Sequence, residues 1–103
     1  MNIKQVRYFL TICEERHFTR AAKRCDVSQP SLTAAIQRLE REIGGKLFVR
    51  STPVELSALG KALRPLFLRM RDTAERAQRI RRVTPRRRVR AFRSAHQPVT
   101  EWL

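Results

Sequence analysis

Residues 27–40 read VSQPSLTAAIQRLE, a serine and a proline two positions apart followed by a run that meets no acidic residue until Glu40. Ser28 offers a side-chain oxygen to the free N–H groups of a helix's first turn, which makes it the expected N-cap. Pro30 then falls inside that turn, where its missing N–H removes a donor without an intrahelical partner, so the proline marks a helix start rather than a break. Leu32, Ala35, Ile36, Leu39 and Ile43 share one side at about 100° per residue, and Pro30, Thr33, Ala34, Gln37, Arg38 and Arg41 point away from them. The outward side is neutral or positive throughout. Gly44-Gly45 ends the helix, the first glycine suiting a left-handed C-terminal position.

Upstream, Ile3, Val6, Phe9, Leu10 and Cys13 hold three-and-four spacing and predict an amphipathic helix over about residues 2–16. The pattern restarts at Phe18-Thr19: Thr19 is the expected cap of a short second helix, its Ala21-Ala22 pair small enough for close helix approach and Cys25 continuing its buried side. Asp26 and Val27 break the period before Ser28. Downstream, LFVRSTPVELS carries two short apolar runs around Ser51-Thr52-Pro53, the pattern of a small β-hairpin that needs helices to pack against. Ser57 is the expected cap of a long helix to about residue 82, with Leu59, Leu63, Leu66, Phe67, Met70, Ala74, Ala77 and Ile80 in a near-heptad seam. At 1.5 Å per residue this helix is roughly 38 Å long, more than so small a body covers, so part of its seam calls for a second chain. Pro65 either bends it or sets its first turn apart. The chain thus divides into residues 1–57, a linker helix at 58–82 and an Arg-rich tail at 83–103, expected to be disordered because it holds no sustained period and carries Pro85 and Pro98.

The 103 residues leave room for one small domain and a modest core. Lys and Arg number 23 against 9 Asp and Glu, a formal charge of +14 that points to a polyanionic partner, nucleic acid first. No apolar run approaches the roughly 20 residues of a spanning helix and no signal-peptide pattern opens the chain, so a cytoplasmic protein is expected. Cys13 and Cys25 sit in apolar helical patterns and read as buried reduced thiols, with too few ligands nearby for zinc. His17 and His96 stand without a carboxylate or serine partner at readable spacing. No nucleophile–base pair, metal cluster or phosphate-cradling Gly loop occurs, which argues against an enzyme and against a cofactor.

Three helices followed by a two-stranded ribbon describe a mainly α winged helix-turn-helix, in which the third helix enters the DNA major groove and the wing lies along the backbone. A carboxylate on the outer side of that helix would repel phosphates, whereas Gln and Thr exchange hydrogen bonds with base edges and Arg does both. The motifs FTRAA, VSQPS, LEREIGGKLFVR and the Leu-Ser-x-x-Gly at Leu56 closely resemble the DNA-binding segment of LysR-type transcriptional regulators over about residues 1–82. The resemblance implies that Gln29, Pro30, Thr33 and Gln37 face the major groove and that Thr19, Ser28, Ser31, Arg38 and Arg50 mostly hold phosphates, Arg50 standing at the family's wing arginine. It also implies a homodimer on an interrupted palindrome, its linker helices antiparallel through Leu59, Leu63, Leu66, Phe67, Met70, Ala74 and Ala77, of which Phe67 and Met70 read equally as intramolecular core.

Ala34 stands where relatives often carry Arg, which changes what that DNA-contacting position can reach. The wing is shorter than usual between Arg50 and Leu56 and lacks a basic tip. Family members normally continue into a larger α/β domain for a small-molecule co-inducer, and this chain carries no such effector site, as expected of a stand-alone module or of a truncated regulator. The nine arginines from Arg76 to Arg93, with no acid among them, fit truncation. Two alternatives to a sequence-specific regulator stay open: a fragment acting by heterodimerisation with longer relatives, and a non-specific nucleic-acid binder driven by the tail. For Gln29, Thr33, Gln37, Arg38 and Arg41 the plainer reading is an ordinary solvated helix face.

Overall fold

The structure, a computed structural model, describes residues 1–85. The expectation about the tail falls, from residue 86 on, outside the described residues. Helix α1 spans Ile3–Glu15 and opens on a capping box: Asn2 Oδ1 accepts from the Gln5 N–H and Gln5 Oε1 accepts from the Asn2 N–H, both at 2.9 Å. Arg16 closes it in the left-handed region at φ 55°. Helix α2 spans Phe18–Arg24 and helix α3 Gln29–Ile43. Asp26, in the turn between them, takes φ 57°, a conformation that a short polar side chain tolerates.

Strands β1 (Phe48–Val49) and β2 (Glu55–Leu56) pair antiparallel, Phe48 opposite Leu56 and Val49 opposite Glu55. Two residues per strand cannot sustain a free hairpin, and the inner residue Phe48 is buried against the helices. Helix α4 runs from Ala58 to Val83 without interruption at Pro65. The N–H that Pro65 lacks would have reached back to the carbonyl of Lys61; both residues are exposed, so the missing bond falls on the solvent side of the helix. Ser57 caps α4 as expected, its Oγ accepting from the Gly60 N–H at 3.0 Å.

Val6, Phe9 and Ile12 of α1, Ala21 of α2 and Leu32, Ile36 and Leu39 of α3 are sealed from solvent together with Leu47. The alanine pair of α2 acts as the spacing requires, leaving room for neighbouring helices. Phe9 stacks edge-on against Phe67 at 5.1 Å and tilted against Phe48 at 5.2 Å, so one aromatic cluster joins α1, the wing and α4. Burying each such ring contributes roughly 1.5–3 kcal/mol.

Phe67 is 3% exposed and belongs to this core, and Leu59 is half-buried against the turn at Gly45. A seam of apolar residues records that something covers them, and for the first turns of α4 the cover is the chain's own body. Leu63 and Met70 are half-buried against the core, while Leu66 is 49% exposed.

Contacts gather Met1–Thr73 into one compact unit and the residues from Ala74 into a second. In the described part of the second, Thr84 Oγ1 donates to the Ile80 carbonyl at 2.7 Å, and Ala77, Ile80 and Val83 are exposed.

Candidate nucleic-acid interface

Ser28 caps α3 as the sequence requires: its Oγ accepts from the Ser31 N–H at 3.2 Å and donates to Ser31 Oγ at 2.8 Å. Pro30 occupies the first turn, and Gly44 ends the helix at φ 91°. These local devices fix the helix's rotation. Leu32, Ile36 and Leu39 then point inward, and Ser28, Gln29, Pro30, Ser31, Ala34, Gln37, Arg38 and Arg41 are exposed.

No carboxylate stands among those exposed residues. Glu42, also exposed, is drawn to the N-terminal ammonium of Met1 rather than to either arginine. Among the described residues Arg38 and Arg41 have no hydrogen-bond or ion-pair partner, so their charge is available to an external anion.

Thr33 departs from expectation. It is only half exposed, and its Oγ1 is shut off from solvent without a hydrogen-bond partner. At 100° per residue it lies on the flank towards Ile36 and Glu40, whereas Gln37 lies further round. Of the residues expected on the outward face, Gln29, Pro30, Ala34 and Gln37 are therefore exposed and Thr33 only half so.

Thr19 is exposed on α2, in position for an external contact, but it is not the cap. His17 is: its Nδ1 accepts from the Arg20 N–H at 3.2 Å, and the helix begins at Phe18. The imidazole acceptor does here what a hydroxyl usually does, and a preference for hydroxyl and carboxyl caps misplaces the start by two residues.

Arg50 leaves β1 exposed, its guanidinium carbon 4.8 Å from the centroid of the Phe18 ring, a cation–π contact that sets the wing arginine beside the first turn of α2. The wing is tied to α1 as well. The Val54 N–H donates to the Arg16 carbonyl at 3.0 Å, Arg16 Nε donates back to the Val54 carbonyl at 3.3 Å, and the Arg16 guanidinium lies 3.6 Å from Glu55. Sequence reasoning missed this clasp, since nothing local marks Arg16 as a long-range partner.

Both cysteines are free but half-buried rather than sealed. Cys13 lines a cleft of about 350 Å³ between α1, the wing and α4. Burial pushes its thiol up to about 11, against the charge of Arg64, which pulls it down. Among the described residues no group of three or more His, Cys, Asp or Glu is placed to hold a metal ion, and no helix is long and apolar enough to cross a membrane.

A three-helix body whose third helix exposes Gln29, Gln37, Arg38 and Arg41, followed by a two-stranded ribbon, is a winged helix-turn-helix. Residues 3–61 match the profile of the bacterial regulatory helix-turn-helix protein, lysR family, and the chain belongs to that family. BudR of Klebsiella aerogenes, an HTH-type transcriptional regulator, is 51% identical over 63 residues, covering 60% of this chain and 44% of BudR. The chain thus spans less than half the length of that relative. Among solved structures, the CbnR DNA-binding domain complexed with DNA superposes with a TM-score of 0.73 at 36% identity, covering 80% of this chain and 95% of that one. The BenM DNA-binding domain on benA site 1 DNA gives 0.75 at 30% identity, over 80% and 93%.

Proposed function

We propose that this chain is a sequence-specific DNA-binding module of a transcriptional regulator, with α3 in the major groove and the wing against the phosphate backbone. One observation carries the reading: the exposed side of α3 presents Gln29, Ala34, Gln37, Arg38 and Arg41, its one exposed acid, Glu42, is paired with the Met1 ammonium in the last turn, and its opposite side is sealed in the core. That the similar CbnR and BenM domains were solved in complex with DNA supports DNA as the partner. In the proposed orientation Gln29 and Gln37 read base edges, Pro30 and Ala34 offer apolar contact to thymine methyls, and Thr19, Ser28, Ser31, Arg38 and Arg50 hold phosphates. Thr33 joins the base contacts only by a change of rotamer. The chain acts as a homodimer on a palindromic site, with Leu63, Leu66, Met70, Ala74 and Ala77 of α4 as the surface for a second copy. It works by binding, without catalysis, in the compartment that holds the DNA.

The test is selection of bound DNA from a random pool at fixed salt, followed by competition. A discrete two-fold site is expected to emerge and to resist displacement by random duplex. Equal displacement by random duplex would overturn the proposal. On the selected site, Gln29→Ala or Gln37→Ala is expected to cost about 1–3 kcal/mol at particular base pairs, whereas Arg50→Ala weakens all sequences and reduces the salt slope by about 1.

A further inference from the structure

Glu40 is the acid that closes the opening stretch, and its place in the fold is unlike that of an ordinary surface glutamate. It belongs to α3, yet it is 6% exposed. Its Oε2 accepts from the Leu47 N–H at 2.7 Å, whereas the nearest cation, Lys46, stands 3.9 Å from Oε1 on an exposed side chain. The short bond to the backbone therefore defines its geometry, and the ion pair adds little.

Leu47 is held from the other side too. Its carbonyl accepts from the Ser57 N–H at 2.9 Å, and Ser57 Oγ donates to the neighbouring Lys46 carbonyl at 2.6 Å while capping α4 through Gly60. A carboxylate on α3 thus fixes the strip of backbone that supports the first turn of α4. The next residue, Phe48, begins β1, and Arg50 follows two positions later over the Phe18 ring.

We infer that Glu40 is a positioning residue for DNA binding: through Leu47 it sets the wing, with Arg50, and the start of α4 at a fixed offset from α3. The inference rests on the proposed function, since an offset between α3 and Arg50 matters only if both touch one duplex. It differs from a purely stabilising role in one respect. Loss of Glu40 uncouples Arg50 from the recognition helix, so the two residues are non-additive in binding.

The experiment uses the full chain with Glu40→Met, which fills the space without a comparable acceptor, and Glu40→Gln, which keeps one. In the free protein, amide exchange at Leu47 is expected to quicken about tenfold or more in E40M and to stay within about threefold of the parent in E40Q. On the selected DNA site, E40M is expected to lose about tenfold in affinity and E40Q to retain nearly all of it. In a cycle with Arg50→Ala, the arginine's contribution shrinks in the E40M background.

If E40M does not fold, Glu40→Asp, which withdraws the carboxylate by one methylene, carries the same cycle. A folded E40M or E40D in which Arg50→Ala costs as much as in the parent overturns the inference. So does a parent chain whose Leu47 amide is unprotected, even where binding is sequence-specific. A parent with protected Leu47 but no preferred DNA sequence overturns the functional reading, and this inference with it.

Discussion

Gly60 occupies the third position of α4, where an alanine would ordinarily help: replacing a helical glycine is worth about 0.5–1 kcal/mol. Here the sign reverses. A Cβ on Gly60 would meet the Leu47 carbonyl oxygen at 2.2 Å and Leu56 Cδ2 at 2.9 Å. The leucine tip can swing aside; the carbonyl cannot, because it accepts from Ser57 while the N–H of the same residue donates to Glu40. Relief needs a backbone shift of about 1 Å, at an overpacking cost of roughly 1–3 kcal/mol, plus about 1 kcal/mol for a disturbed hydrogen bond. Gly60→Ala is therefore expected to destabilise the chain by about 2–3 kcal/mol net of helix propensity, a fall in Tm of roughly 10–20 °C for a domain of this size. Urea titration followed by far-UV circular dichroism measures it. Gly45→Ala is the control, because its Cβ would meet only the flexible Leu59 Cδ2, at 2.7 Å, and should cost under about 1 kcal/mol. A Gly60→Ala chain as stable as the parent, or more stable than Gly45→Ala, would refute the reasoning.

Thr33→Val removes a shut-off, unpartnered hydroxyl without changing shape, and should leave stability equal or raise it by about 1 kcal/mol; a loss of more than that in the same titration would mean the hydroxyl has a partner. Ser28→Ala strips the cap from α3 and is expected to cost about 1 kcal/mol, read as a lower urea midpoint at unchanged slope. Because burial pushes Cys13 up to about 11, its thiolate at pH 8 should be about 100-fold scarcer than that of an ordinary thiol, and iodoacetamide should label it correspondingly slowly. The linkage has a definite sign: the unfolded chain releases this proton first, so stability contributed by Cys13 is lost as pH rises from the ordinary thiol range towards 11, and a stability profile flat across that window in the parent but not in Cys13→Ala would contradict it.

What the sequence made legible was local. Ser28, Pro30 and Gly44 each act on their own turn, and the period between them turns Leu32, Ile36 and Leu39 inward, so α3 and its exposed face follow from residues 27–45 alone. The wing was legible as a pair of strands because Ser51-Thr52-Pro53 interrupts an apolar run. Features that depend on partners far along the chain were not. Period alone marks Phe67 as apolar-facing, and only the packing of Phe9 decides that the face is internal. Arg16 and Glu40 look like surface charges until Val54 and Leu47 come within reach. Thr19 was the cap that residue preference marked, and the backbone uses His17, a less usual acceptor.

The case of Glu40 and Thr33 shows why a two-sided picture of a recognition helix is too coarse. A helix seated in a groove has an inner side and an outer side, but α3 also has a flank on which Thr33 and Glu40 are neighbours and from which Glu40 reaches the backbone leading into the wing. On that flank polarity does not signal exposure. A carboxylate is tolerated there because a backbone donor satisfies it, and a hydroxyl is hidden there without any partner. Under the proposed function the two acids of α3 follow from one constraint: a helix that approaches a polyanion keeps negative charge only where its own chain neutralises it, Glu40 through the Leu47 N–H and Glu42 through the Met1 ammonium. Gln37, four residues beyond Thr33 on the exposed side, is then the residue whose replacement should alter base preference, and Glu40 the one whose replacement should alter how far every phosphate contact of the wing can reach.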